Sequence, residues 1–335
     1  MPRTDVVVIG ASAGGIEPIR TILSGLPAGF PAALFIVVHT SPHAPGVLDV
    51  IFSTAGVLPA VIAKDRERIV PGTVYVALPD HHLLIEPGRM RLTRGPKENR
   101  FRPAVDPLFR SAAQTYGPLV IGIILSGGLD DGTAGLRTVK QLGGTAIVQD
   151  PEEAWFPSMP ESALQHVRPH HVLRASEIAP LLVKLTAGAD DVDQGGRDVP
   201  DEVKIEVDIA KENKATDAGV LQLGDPSNYA CPECHGVLLE MKERAPLRFR
   251  CHTGHAYTIE SLASEMDEMI EESLWSAIRA LEERALLMRQ AGEHLRAAHQ
   301  PADDRYLPRA DDALRRAELV RQALFDPQNA GNAVD

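Results

Sequence analysis

Three short runs of β-branched and apolar residues are each followed by a polar side chain that can act as an acid, a base or a nucleophile. In an open parallel sheet the carboxyl ends of neighbouring strands share one edge, and ligands bind at that edge. A serine, a histidine and an aspartate brought together there are the working parts of a serine hydrolase. The three pairs are residues 6–9 before Ser12, residues 34–38 before His39, and residues 119–125 before Asp131.

Residues 1–186 predict an α/β domain with a doubly wound, mostly parallel sheet that carries a hairpin. Apolar runs alternate there with amphipathic stretches, so that sheet and helices supply each other's buried face. Residues 74–77 and 83–86 flank Pro79-Asp80, and we expect them to pair as the hairpin. We expect helices to begin near Gly15, Gly46, Val105, Thr133 and Met159, and strands at 5–9, 33–38, 60–63, 74–77, 83–86, 119–125 and 145–148.

The segment that follows has a different composition. Asp, Glu, Lys and Gly dominate residues 187–227 and apolar periodicity is lost. This composition predicts a flexible acidic linker with at most a short strand at 203–209.

Two smaller modules are expected after the linker. Residues 228–257 predict a zinc-ribbon-like module, and residues 258–326 predict a helical hairpin. Apolar residues three and four apart form a stripe on the first helix, Pro301 is expected to end it, and a second helix is expected over 309–325. The stripe fits either an internal hairpin or a coiled coil with a partner.

Overall charge and the absence of certain segments restrict the class of protein. The net charge of −12 over 335 residues argues against a general nucleic-acid binder, which would present a basic face. The amino terminus runs straight into a strand pattern rather than a signal peptide, and no apolar stretch reaches the roughly 18 residues of a membrane span. We therefore expect a cytoplasmic protein that does not insert into a membrane.

The loop after the first strand is rich in glycine and opens a helix. Its sequence, Gly-Ala-Ser-Ala-Gly-Gly over residues 10–15, permits a sharp turn that lifts Ser12 above the sheet. Backbone N–H groups at the start of the helix can stabilise an oxyanion. The same spacing of glycines also resembles a nucleotide-binding turn.

The ends of the second and third strands favour the hydrolase. A dinucleotide-binding fold needs an acidic residue at the end of the second strand, whereas this strand ends in His39, which can accept the serine proton. A carboxylate bonded to the other ring nitrogen would fix the tautomer. Asp130 and Asp131 are adjacent, and the pattern alone does not choose between them, since either can also cap the following helix.

Three cysteines cluster near the carboxyl terminus with the spacing of a metal site. Cys231 and Cys234 form a C-x2-C pair, and Cys251 with His255 forms C-x3-H. Four soft ligands of this kind suit tetrahedral zinc, and a closed four-ligand site is structural rather than catalytic. His252 is the alternative fourth ligand. Because it directly follows Cys251, the two side chains would be poorly placed to bind the same ion.

Five segments in order resemble the catalytic domain of the chemotaxis protein-glutamate methylesterase (CheB) family. They are residues 10–15, 38–39, 101–113, 125–132, and 149–151 with 156–160. The resemblance implies a Ser-His-Asp hydrolase that cleaves glutamyl methyl esters on chemoreceptor cytoplasmic domains and can deamidate receptor glutamine, with no cofactor for catalysis. It assigns Ser12 as nucleophile, His39 as base and Asp131 as acid, and places the oxyanion donors at the backbone near Ala13 and Gly128.

The sequence also departs from the family pattern. Ala13 stands where Thr is common, Val38 where Gln is usual, and Gly128 where the family has methionine. No receiver domain precedes the catalytic strand, so control is expected from a regulatory signalling protein or from the carboxyl-terminal half, whose cysteine cluster resembles a zinc-ribbon-like module of some relatives. A catalytically silent signalling adaptor and a nucleotide-binding α/β protein remain the alternative functions.

Overall fold

The apolar runs of the first half form one seven-stranded parallel sheet with helices on both faces. The computed structural model describes residues 6–187, 198–211, 214–297 and 306–325. The sheet order is β3-β4-β2-β1-β7-β8-β9, and each neighbouring pair is parallel. The elements are β1 (Val6–Ala11), α1 (Ile16–Ser24), β2 (Ala33–Val38), α2 (Leu48–Ser53), β3 (Ala60–Ile62), β4 (Val74–Val76), β5 (His82–Glu86), β6 (Arg89–Thr93), α3 (Val105–Tyr116), β7 (Val120–Ile124), α4 (Thr133–Gln141), β8 (Thr145–Gln149), α5 (Ser158–Val167), β9 (His171–Leu173) and α6 (Ala175–Ala187).

The two faces of the sheet carry separate hydrophobic cores, which explains why its central strands are apolar at every position. Val6 and Val8 of β1 face a core shared with helices α3, α4 and α5. Val7 and Ile9 face the opposite core, which α1, α2 and α6 complete. Burial on both sides requires continuous apolar runs rather than alternation. The fold is the doubly wound sheet expected from the sequence.

The hairpin is present, but its strands are not the expected ones. β5 pairs with β6 in an antiparallel two-stranded sheet. β4 instead lies inside the parallel sheet between β3 and β2. The pairing predicted between residues 74–77 and 83–86 was therefore wrong. Residues 74–76 are fully enclosed, so they suit an interior strand, and the turn at Gly88, with a φ of 69°, joins the two strands of the hairpin.

The segment expected as a flexible linker is helical in its described part. α7 (Asp201–Ala210) occupies the place where a short strand was predicted, and α8 (Ala215–Ala218) follows it. Val203 and Val207, four residues apart, are buried, and Glu206 is also buried. The charge of Glu206, which suggested a solvated segment, is neutralised by buried arginines. Residues 188–197 of the expected linker lie outside the described residues.

A four-stranded antiparallel sheet follows, in the order β10-β11-β12-β13. Its strands are β10 (Gly224–Ala230), β11 (Val237–Arg244), β12 (Leu247–Cys251) and β13 (Ala256–Thr258). We call residues 224–258 the ribbon. It belongs to the same compact unit as the parallel sheet, since this unit extends to Leu262. The sequence placed the start of this module at residue 228, so the sheet begins four residues earlier.

Two long helices complete the chain, α9 (Ile259–Ala297) and α10 (Tyr306–Phe325). The second compact unit begins at Ala263, and within it Ala285 of α9 packs against Ala310 and Ala313 of α10. The expected break at Pro301 lies outside the described residues. None of the described helices is both long and apolar enough to cross a membrane.

Candidate active site

Three adjacent strands bring the predicted side chains to one edge of the sheet. β1 lies between β2 and β7, so the chain reverses direction across the sheet at this strand. In such folds the crevice at the carboxyl ends of these strands is the usual ligand site. Ser12 follows β1, His39 follows β2, and Asp131 lies in the loop after β7.

The glycines after β1 fix the position of Ser12. The Ser12 N–H donates to the carbonyl oxygen of Ser126, at 2.9 Å, which ties the loops after β1 and β7 together. Gly14 has a φ of 73°, and a Cβ there would lie 2.7 Å from Ser126 Oγ. A Cβ on Gly15 would lie 2.5 Å from that of Ala11. Both positions therefore require glycine.

His39 is held by a carboxylate on one side and an aromatic ring on its face. Its Nε2 lies 2.7 Å from Asp131 Oδ2, and both side chains are almost fully buried. The ring stacks on Phe101 with centroids 3.7 Å apart and planes 7° from parallel. An ionised Asp131 only accepts hydrogen bonds, so the proton of the neutral imidazole resides on Nε2. Nδ1 is buried and has no hydrogen-bond partner in the described part of the chain.

Asp131 is kept ionised by the donors around it. Oδ2 also accepts the Val105 N–H at 2.6 Å, and Oδ1 accepts from Asn99 Nδ2 at 2.9 Å and from the Asp106 N–H at 3.3 Å. Burial by itself would raise the pKa of Asp131, but the hydrogen bonds from His39, Val105 and Asn99 hold that pKa below its usual value. The amino terminus of α3 thus supplies two of the donors.

The neighbouring Asp130 has a different environment. Its Oδ1 accepts the hydroxyl hydrogen of Thr258, from the end of the ribbon, at 2.7 Å. Burial raises the pKa of Asp130 to about 7, and the charges of Glu260 and Asp131 act in the same direction, against the Thr258 hydrogen bond. The structure therefore brings Asp131, not Asp130, to His39.

Two backbone N–H groups at the predicted oxyanion positions are uncommitted. Among the described residues, neither Ala13 nor Gly128 donates its N–H to a protein acceptor, whereas the Gly127 N–H is bonded to Phe156 O at 2.9 Å. A Cβ on Gly127 would collide with Met159 Sδ, while one on Gly128 would meet no atom within 4 Å. The family's methionine position is thus open space here, and a backbone donor is retained.

A cleft of about 720 Å³ opens over Ser12 and His39. Its lining is largely apolar, and Trp155 at the rim is 84% exposed. Cationic side chains also line the cleft, where Arg102 is paired with Asp80 and Lys97 with Glu233. The described lining residues are Ser12, Ala13, Gly14, Ile16, Glu17, Val38, His39, Thr40, Ser41, Pro42, Leu48, Lys97, Arg100, Phe101, Arg102 and Trp155.

The cysteine cluster closes at the far end of the ribbon. The ligand atoms of Cys231, Cys234, Cys251 and His255 all lie within 4.8 Å of one another. His255 Nδ1 is 3.7 Å from Cys231 Sγ and 3.6 Å from Cys251 Sγ, and Cys234 Sγ is 3.6 Å from Cys251 Sγ. Tetrahedral ligands at zinc–sulfur distances are about 3.7 Å apart. His252 is exposed and is not part of this group; its ring lies against Gly236.

Sequence reasoning gave no role to Asn99 or Phe101, although both contact the triad. Phe101 is the first residue of a segment quoted for the family resemblance, and Asn99 lies two residues before that segment. The only local signal at Asn99 is its residue type, since asparagine tolerates positive φ better than most residues.

Known proteins resemble the first half of the chain. The CheB methylesterase family model matches residues 7–182. A Leptospira interrogans protein assigned as a protein-glutamate methylesterase/protein-glutamine glutaminase is 38% identical over 182 residues, which are 54% of this chain and 94% of that protein. The protein-glutamate methylesterase FrzG of Myxococcus xanthus is 35% identical over 184 residues, 55% of each chain.

A solved structure agrees with these matches. The crystal structure of the Thermotoga maritima CheB methylesterase catalytic domain aligns with a TM-score of 0.53 and 35% identity, covering 54% of this chain and 98% of that domain. The family match covers more than half of the chain and includes Ser12, His39 and Asp131. The chain belongs to the CheB methylesterase family.

Proposed function

We propose that the protein hydrolyses glutamyl methyl esters on the cytoplasmic domains of chemoreceptor-type proteins, with Ser12, His39 and Asp131 as the catalytic triad. The observation that carries the proposal is the state of His39. Its Nε2 is bonded to an ionised Asp131, and its Nδ1 has no partner among the described residues and belongs to a side chain that lines the same cleft as Ser12.

The geometry supports an acyl-enzyme route. Ser12 Oγ attacks the ester carbonyl carbon while its proton passes to His39 Nδ1, and the N–H groups of Ala13 and Gly128 stabilise the oxyanion. Collapse of this intermediate breaks the bond to the methoxy group, which leaves as methanol with the proton from His39. Water then attacks the acyl carbon with His39 again as base, which releases glutamate and restores Ser12.

The same machinery supports deamidation of glutamine. The acyl-enzyme is identical, and the leaving group is ammonia in place of methanol. His39 must protonate the leaving nitrogen, so Asp131 contributes by stabilising the imidazolium that carries this proton. The relative in Leptospira interrogans carries a name that includes protein-glutamine glutaminase.

A methanol-release assay tests the esterase. Full-length protein is incubated with radiolabel-methylated chemoreceptor, and Ser12→Ala is expected to lower the rate by about 10⁴-fold or more, because the nucleophile is lost. Ser41→Ala is the matched control, since Ser41 lines the same cleft, and it should behave like wild type. Labelling of Ser12 by a fluorophosphonate without methanol release would reject the receptor ester as substrate, and absence of labelling would reject the triad.

We also propose that Cys231, Cys234, Cys251 and His255 hold a structural zinc ion. The separations of 3.6 and 3.7 Å between three pairs of these donor atoms support this set. Zinc content is expected near one per chain and should fall in Cys234→Ser. His252→Ala should keep it, whereas loss of zinc in that variant would contradict the ligand set.

The location and the partners of the protein are proposed from its proposed substrate. A cytoplasmic location follows from the proposed substrate, since the esters lie on cytoplasmic receptor domains. A signalling protein that docks on the chain is one expected route of control, and the carboxyl-terminal half is the other.

A further inference from the structure

A tight turn of residues 98–101 carries two of the groups that contact the triad. Glu98 and Phe101 exchange backbone hydrogen bonds of 3.2 and 2.9 Å. The central residues, Asn99 and Arg100, have φ values of 49° and 76°, as a type I′ turn requires. Left-handed backbone is unfavourable at a residue such as Arg100, so the surrounding structure must hold the turn in place.

The side-chain amide of Asn99 is fixed by groups on both sides. Nδ2 donates to Asp131 Oδ1 at 2.9 Å and to Asp106 Oδ2 at 3.0 Å. Oδ1 accepts the Thr258 N–H at 3.2 Å and the Ser261 hydroxyl at 3.4 Å. A flipped amide would point its oxygen at two carboxyl groups and its NH₂ at two donors. The donors from Thr258 and Ser261 therefore decide which way the amide faces.

Strand β13 also binds the backbone of the turn. The Asn99 N–H donates to Ala256 O at 2.8 Å, and the Ala256 N–H donates to Lys97 O at 3.2 Å. The strand thus lies parallel to the chain at Glu98, in a one-residue bridge. Ala256 directly follows His255, so the cysteine cluster and the turn are joined by a single short strand.

Thr258 links the start of α9 to the loop that carries Asp130. Its hydroxyl donates to Asp130 Oδ1 and accepts the Ser261 N–H at 3.1 Å, while Ser261 Oγ accepts the Thr258 N–H at 2.9 Å. This reciprocal pair is an N-terminal cap of the helix, with Ser in the third position. One capping residue therefore contacts both the helix and the neighbour of Asp131.

The ribbon contacts residues around the triad but does not itself line the cleft in the described parts of the chain. The cleft over Ser12 is lined, within the described parts of the chain, by residues no later than Trp155. Strand β13 contacts the turn and the loop after β7 through Lys97 O, Asn99 and Asp130 Oδ1.

We propose that β13 and the cap of α9 hold the turn of residues 98–101 in its strained conformation, and that Asn99 is thereby a positioning residue for Asp131 and His39. The ribbon is in this sense a built-in support of the triad, and its loosening lowers the rate. The inference rests on the proposed function of Ser12, His39 and Asp131.

The inference is tested by measuring the rate at which a fluorophosphonate labels Ser12 in full-length variants at a series of pH values. Asn99→Gly keeps the left-handed backbone and removes the amide, and it should slow labelling of Ser12 by about 10- to 100-fold, the size of loss that misplacement causes. In the plot of labelling rate against pH, the fall in rate on the acid side should move to higher pH. The reason is that Asp131 loses a donor and therefore attracts a proton on the imidazole more strongly. Thr258→Val should slow labelling by about 3- to 10-fold, and Thr258→Ser should restore it.

Two further measurements separate positioning from general destabilisation. Lys242→Met should label like wild type, because Lys242 is an exposed ribbon residue whose side chain donates to Gln222 O, away from the turn of residues 98–101. The downfield proton resonance of the His39 Nε2–H bond to Asp131, assigned by its loss in His39→Gln, should shift or broaden in Asn99→Gly and in Thr258→Val but not in Thr258→Ser.

The outcomes distinguish the inference from the proposed function. No labelling of wild type would reject the hydrolase, while the proton resonance would still test Asn99 as the residue that positions the pair. Lowered melting temperature with an unchanged resonance and an unchanged pH profile, in both Asn99→Gly and Thr258→Val, would overturn the inference.

Discussion

Adjacent aspartates in the loop after β7 have opposite ionisation behaviour because their partners differ. Asp131 accepts four hydrogen bonds, and its pKa is held low. Asp130 accepts one from a side chain, and burial raises its pKa to about 7. Sequence alone left this choice open, since the direction of each side chain depends on the backbone of the loop, where Leu129 has a φ of 61°.

Asp130→Asn should stabilise the protein at neutral and alkaline pH. In wild type the folded state keeps a proton on Asp130 between about pH 4 and 7, where the unfolded chain has lost it, so stability falls as pH rises through that window by up to about 1.4 kcal/mol per pH unit. Asparagine carries no charge, and its oxygen can still accept from Thr258. The gain should therefore be small near pH 4, grow up to pH 7, and then level off.

Urea unfolding from pH 4 to pH 8 measures this gain. Asp217→Asn, in an exposed helix residue, is the control and should show no comparable dependence. A gain that is the same at every pH would show that Asp130 does not titrate in this window. Methanol release by Asp130→Asn should stay near wild type, since Asp131 remains on His39.

At the scale of elements, the ribbon and α7 are joined to α3 by buried ions. Glu206 of α7 receives both Arg248 and Arg250 of β12, at 2.8 and 2.7 Å. Arg250 also reaches Glu98 at 3.1 Å, and Glu98 is bonded to Arg110 of α3. Burial of such charges is costly unless each one is paired, so the set is expected to work as a unit.

Glu206→Gln should destabilise the compact unit by about 3–5 kcal/mol, because it removes a counter-charge that three buried arginines, Arg110, Arg248 and Arg250, share. Glu202→Gln is the matched control on the same helix, where the side chain is exposed. Urea or guanidinium unfolding measures the difference. A loss below about 1 kcal/mol would mean that water or rearranged partners replace the lost charge.

Elements with continuous apolar runs could be predicted from the sequence, whereas those held by long-range polar contacts could not. β1, β2 and β7 are buried on both faces, so their runs of Val and Ile identify them locally. α7 looked like a linker because its charges are neutralised by residues more than 40 positions away. Asn99 meets Thr258 across 159 residues, and no local pattern reports such a contact.

At the scale of the whole molecule, the proposed zinc ion and the triad share one compact unit. His255 directly precedes β13 and Thr258 is its last residue, so the ion and the turn of residues 98–101 are linked by one short strand. The sequence predicted separate modules for residues 1–186 and 228–257, and separate modules would confine the effect of metal loss to the second. The shared ion pairs and the Asn99 contacts predict that the effect of metal loss extends from the ribbon to the active site.

Removal of zinc from full-length protein should therefore reach the active site. Treatment with a chelator is expected to expose the ribbon to trypsin and also to slow labelling of Ser12, because β13 loses its anchor at His255. Readdition of zinc should reverse both effects. Digestion of the ribbon with labelling unchanged would indicate that the parallel sheet holds the triad by itself, as the sequence first suggested.

Trp155 can serve as a fluorescent probe of docking at the cleft. It stands at the rim of the cleft with 84% of its surface exposed, and the chain has only one other tryptophan, Trp275. An indole in water that becomes covered by a docked polypeptide changes its emission wavelength and its accessibility to quenchers. In a Trp275→Phe background the protein therefore carries a native fluorophore beside Ser12, which reports arrival of the substrate without any attached dye.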